Sequence, residues 1–127
     1  MTLPEALEAY DHRRATLSFP VEMSWPRLQT KAVDGVEIAY SAGDVVVEAE
    51  NNWMCAWQTA WVRRFELGRG DADEALSELT KFPEFLTYTT SYDAATRRAF
   101  DERLAKAKLG DPTQMREDIL LNCRQFL

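Results

Sequence analysis

The chain predicts an all-α domain of about five helices around a central, Trp-rich helix, with an extended arm near the N-terminus. Three observations predict it. A periodic stretch from Ser41 to about Leu67 carries Trp53, Trp57 and Trp61 at four-residue spacing. Helix starts and stops recur along the chain, among them Asp111-Pro112-Thr113-Gln114 and the glycines Gly68 and Gly110. Residues 16–40 break the helical period. No internal repeat, low-complexity segment or linker divides the 127 residues, so one domain over 1–127 is expected.

The first helix is expected from about Pro4 to Ala15. Thr2 can cap it, and Pro4 and Glu5 suit a first turn. Its apolar stripe reads Leu3, Leu7, Tyr10. In the arm, Pro20 and Pro26 bracket Trp25 and push their predecessors toward extended backbone. Asp34-Gly35 followed by the alternation Val36, Ile38, Tyr40 fits either a small hairpin across 28–40 or an extended arm.

The second helix opens at Ser41-Ala42-Gly43-Asp44, which resembles a capping box, and stops at Gly68. At about 100° per residue, Val46, Ala49, Trp53, Trp57, Ala60, Trp61 and Phe65 share a face, with Cys55 and Val62 nearly opposite. A helix that is apolar on two sides belongs between other elements. The third helix starts at Asp71, with Glu74 as the other half of a capping box, turns Ala75, Leu76, Leu79 and Phe82 inward and ends at Pro83. An aromatic connector over 84–91 leads to a fourth helix from about Asp93 to Lys108, with Ala95, Ala99, Phe100, Leu104 and Ala107 inward. The fifth carries Met115, Ile119, Cys123 and Phe126 on a single stripe.

Composition narrows function by exclusion. Fifteen Lys and Arg stand against 21 Asp and Glu, giving a net charge of −6. Binding a phosphate backbone rests on cations displacing counterions, so nucleic acid is not expected; a protein partner is. No apolar run approaches the roughly 18 residues that span a bilayer. The first residues show no basic region followed by an apolar stretch, so either the protein is cytosolic or a leader or anchor has been removed.

Chemistry-bearing residues are sparse. Glu50 falls within the aromatic arc of the second helix, where burial could make it a working acid; the simpler reading is contact with water or with an arginine such as Arg64. Glu8 and His12, four apart, could touch one metal, but zinc takes three or four protein ligands, and a surface His–Glu contact is the expectation. No phosphate loop, nucleophile elbow or paired-His signature is present. Catalysis, metal and cofactor are therefore not expected. The stripe Trp53, Trp57, Trp61 reads as core. Trp25, Phe85 and Tyr88, all outside the helices, are the expected partner contacts. Cys55 and Cys123 are either two reduced thiols or one disulfide.

The run Asn51-Asn52-Trp53-Met54-Cys55-Ala56-Trp57 follows the aromatic-Pro steps Phe19-Pro20 and Trp25-Pro26, and a second cysteine lies in Asn122-Cys123-Arg124. Together these resemble uncharacterised actinobacterial helical domains that are secreted or membrane-anchored, over most of the chain. The resemblance implies a Cys55–Cys123 disulfide and an external location, and it implies no activity. The missing leader or anchor is a departure from it. The expected function is a non-catalytic protein-binding or structural module outside the cell, the extracellular part of a membrane-associated protein. The alternative is a cytosolic acidic inhibitor of the immunity type, directed at a basic partner.

Overall fold

Thr2 caps α1 (Leu3–Ala15) in the computed structural model, which describes residues 1–29 and 40–127 together with the backbone of 32–33 and 36–37. The Thr2 hydroxyl accepts from the Glu5 amide and the Glu5 carboxylate accepts from the Thr2 amide, so the expected Thr2 cap is half of a reciprocal capping box. The buried face is Ala6 and Tyr10, whereas Leu7 is exposed. Tyr10 and the partly buried Leu3 face inward as expected, and only Leu7 gives its place to Ala6.

The arm is extended, as its prolines require, and it is anchored by hydrogen bonds to main-chain carbonyls. The indoles of Trp53 and Trp57 both donate to the Ser18 carbonyl, at 2.7 and 3.2 Å, and Tyr10 Oη donates to the Pro26 carbonyl at 2.6 Å. Two-residue strands β1 (Ala32–Val33) and β2 (Val36–Glu37) pair antiparallel with Val33 opposite Val36. The Asp34-Gly35 turn lies outside the described residues.

α2 (Ala42–Glu66) begins at Ser41, whose hydroxyl accepts from the Asp44 amide. It ends before Gly68, whose φ of +66° favours glycine. Every residue from Asn52 to Val62 is buried, so α2 is enclosed on all sides as its two apolar faces predict. Val46 is half-buried and Phe65 exposed, because neighbours cover only the middle of the helix.

α3 (Ala72–Leu79) folds back on α2. Its expected capping box does not form: Asp71 makes no side-chain cap, and its carboxylate pairs with Arg69 while Glu74 pairs with Arg64. The two guanidiniums draw the carboxylates away from the helix start. A 3₁₀ turn (Phe82–Glu84) and a π-helical turn (Thr87–Ser91) occupy the aromatic connector. α4 (Ala94–Lys108) is capped by Asp93 and followed by Gly110 at φ +81°. α5 (Thr113–Asn122) starts one residue later than its signal, with Asp111 accepting from the Thr113 amide and hydroxyl, and a 3₁₀ turn (Arg124–Phe126) follows.

The result is the all-α architecture expected. One small core joins α1, the arm and the start of α2 through Ala6, Tyr10, Leu28, Val45 and Ala49. The larger core gathers the tryptophans of α2 with Leu79, Phe82, Phe100, Met115 and Ile119. Cys55 and Cys123 stand at disulfide distance, Cα atoms 5.2 Å apart, and link α2 to the end of α5. No helix among the described residues is long and apolar enough to cross a membrane.

Candidate functional site

Glu50 is 1% exposed and fully engaged. One carboxylate oxygen accepts from the Thr87 amide at 2.8 Å and the Thr87 hydroxyl at 2.7 Å; the other accepts from Arg13 Nε at 3.1 Å and Nη2 at 2.7 Å. Its arginine is thus Arg13 rather than Arg64, and it ties α1 and the π-helical turn to α2. Arg64, just as buried, forks onto Glu22 at 3.1 and 2.6 Å, reaches Glu74 and the Asp71 carbonyl, and lies over the Trp57 ring. That fork holds Glu22 below the usual carboxylate range. His12 and Glu8 are both exposed on α1.

Trp25, Phe85 and Tyr88 are half-buried, and Tyr88 lies within the π-helical turn rather than outside the helices as expected. Trp25 stacks on Phe19, with centroids 4.2 Å apart, meets Tyr10 edge-on and packs against both cores. Phe85 packs on Trp53 and Phe82 beneath the Arg13 guanidinium. Tyr88 hydrogen-bonds Asp101 and packs on Phe82 and Phe100. Their rings close the core, which leaves only their outer edges for another molecule.

A residue the sequence reading did not single out lines a concavity between helices. α4 packs mainly through α5 and α3, and between α4, α2 and α5 it leaves a cleft of about 590 Å³. Ala95, Thr96 and Ala99 form its α4 wall, exposed rather than inward as the period implied. The inner face of α4 is instead Phe100, Arg103, Leu104 and Ala107, so a guanidinium stands where an apolar residue was expected. Arg103 is 9% exposed. Its Nε donates to Gln58 Oε1 at 2.7 Å, Gln58 donates to Asp118 at 2.8 Å, and Asp118 lies 3.6 Å from Arg103 Nη2 and accepts from Asn122. The chain of contacts fixes the guanidinium at Nε and leaves its outer end lightly engaged.

Two donors converge at that end. Arg103 Nη2 and Tyr92 Oη each lie 3.8 Å from the same atom, Met54 Sδ; Nη2 also stands 3.6 Å from an Asp118 oxygen, beyond ordinary hydrogen-bond length. A thioether is a weak acceptor for one donor, and here it faces two. Burial raises the Tyr92 hydroxyl further above its ordinary range, and like any tyrosine it is a protonated donor at neutral pH. The signal in the sequence was Arg103 itself, a charge on the Phe100–Leu104–Ala107 face. A second cleft of about 450 Å³ lies between the arm and α2, where Gln125 donates to the Asn52 amide oxygen and Asn52 donates to the Tyr10 hydroxyl.

The fold and its paired cysteines define a small all-α domain whose long central helix is sheathed by four others. Comparison with protein-family models, with curated proteins and with solved structures finds no match for this chain.

Proposed function

We propose that this chain is a non-catalytic, disulfide-tied protein-binding module that works outside the reducing cytosol. The observation that carries it is the Cys55–Cys123 pair, buried at the junction of α2 and α5 with Cα atoms 5.2 Å apart. Such bonds persist in oxidising compartments and are rare where glutathione keeps thiols reduced. Glu50 supports the non-catalytic part, since Thr87 and Arg13 already occupy both of its oxygens. The α2–α4–α5 cleft supports the binding part: it holds buried hydrogen-bonding groups in a concavity of the size that binds ligands.

The test is the intact mass of non-reduced protein from an oxidising compartment, alkylated under denaturing conditions with and without prior reduction. Two thiols that resist alkylation until reduced, with a Cys55–Cys123 peptide recovered, are the expected result. Two thiols that alkylate freely without reductant refute the external reading and favour a cytosolic acidic inhibitor, whose capture of a basic partner would weaken with salt.

A further inference from the structure

We infer that the cleft between α2, α4 and α5 binds a carboxylate, received by the outer end of the Arg103 guanidinium together with the Tyr92 hydroxyl. The inference rests on the binding-module reading and gives it a ligand chemistry. Its basis is the convergence of two strong donors on one thioether: Arg103 Nη2 and Tyr92 Oη, both 3.8 Å from Met54 Sδ. A carboxylate oxygen is a far better acceptor for both than sulfur, and its charge complements the guanidinium. Arg103 Nη1 makes no hydrogen bond to any described residue, so a second carboxylate oxygen also has a donor. A guanidinium presents such donors as a planar fork, which suits a two-oxygen ligand.

The surroundings favour a carboxylate over other anions and over cations. Asp118, 3.6 Å from Arg103, offsets part of the positive charge, so the cleft suits a single negative charge rather than a phosphate bearing two. The same Asp118 is held in place by Gln58 and Asn122, one on each of its oxygens. Beyond the donors, the wall of Ala95 and Ala99 offers apolar room for a short chain attached to the carboxylate. Asn51, at the opposite rim, supplies an amide that no described residue engages. Nε, spent on Gln58, holds the guanidinium in place before the ligand arrives, which limits the ordering cost of binding.

A carboxylate of this kind belongs either to a small organic acid or to the C-terminus of a peptide, and the experiment separates them. The full chain labelled with ¹⁵N is titrated with hexanoate, hexylamine, and the tripeptide Ala-Ala-Leu with a free or an amidated C-terminus. The Arg103 Nε–H and Asn51 side-chain amide signals are followed. Hexanoate and the free tripeptide are expected to shift them saturably, with hexylamine and the amidated tripeptide leaving them in place. Tighter binding of the free tripeptide assigns the source to a peptide terminus; equal or tighter binding of hexanoate assigns it to a small acid. Tyr92→Phe is expected to weaken binding about tenfold, as for one hydrogen bond to a charged group. Ala99→Leu, at an exposed wall position away from the Arg103 contacts, is expected to abolish it while leaving the remaining spectrum folded. Absence of saturable shifts with both carboxylates, equal shifts with hexylamine, or wild-type affinity in both variants overturns the assignment. With Cys55 and Cys123 protected from alkylation, that failure removes the carboxylate and leaves the external module standing. Carboxylate binding by a protein with free thiols does the reverse.

Discussion

Replacing Glu50 by Gln keeps the side-chain volume and changes only what the second oxygen offers to Arg13. The oxygen facing Thr87 still accepts from the amide and the hydroxyl, at 2.8 and 2.7 Å in the wild type. The other position becomes an NH₂ directed at Arg13 Nε and Nη2, where the carboxylate accepted at 3.1 and 2.7 Å. Two charge-assisted hydrogen bonds are lost and donors face donors. Bonds to charged groups are worth about 1.5–3 kcal/mol each, and breaking a fully buried pair costs about 3–5 kcal/mol. Arg13 is 25% exposed and can swing toward water, which places Glu50→Gln near the lower figure, at about 2–3 kcal/mol. Glu50→Ala also strands the buried Thr87 amide and opens a void, raising the loss to about 3–5 kcal/mol. Urea unfolding followed by far-UV circular dichroism reads both through the midpoint at constant slope. A Glu50→Gln midpoint within about 0.5 kcal/mol of wild type would refute the reasoning, because it would mean that Arg13 contributes no net stabilisation to the carboxylate.

Two further outcomes follow from the other buried links. Glu22 has a folded-state pKa below its ordinary 4.5, chiefly through the Arg64 fork, so its contribution is present above that value and lost as pH falls through the depressed one. Stability measured by urea titration across the acid range is expected to fall less steeply in Glu22→Gln than in wild type; parallel acid limbs would remove Glu22 from the account. Joint replacement of Cys55 and Cys123 by alanine opens a loop of 68 residues and is expected to cost about 4 kcal/mol by chain entropy. Reduced wild type should unfold at nearly the same urea midpoint as that variant, and a reduced protein as stable as the oxidised one would count against the bond.

The helices were legible because their signals are local. Thr2, Ser41 and Asp93 cap by reaching amides three residues away, and Gly68 and Gly110 end helices by their own backbone freedom. The failures share one cause. Asp71 and Glu74 lost their capping box to Arg64 and Arg69, cations whose positions a sequence window does not reveal. Leu7 is exposed and Ala6 buried, a choice made by what α1 packs against rather than by its own period. The cysteines were visible as a pair with two open fates; only the packing of α5 against α2 brought them within reach.

The sequence by itself determined the all-α class, the central place of the Trp-rich helix and the extended backbone around Pro20 and Pro26. Each follows from periodicity, capping and proline geometry, which act over a few residues. Tertiary structure alone decided which arginine neutralises Glu50, and that Trp25, Phe85 and Tyr88 turn their rings into the core. It also decided that Arg103, Tyr92 and Met54 meet at one point in a cleft. Those three residues lie on separate elements, up to 49 positions apart. Their meeting depends on how far α4 stands from α2, a distance set by the packing of α3 and α5 rather than by any local propensity of α4.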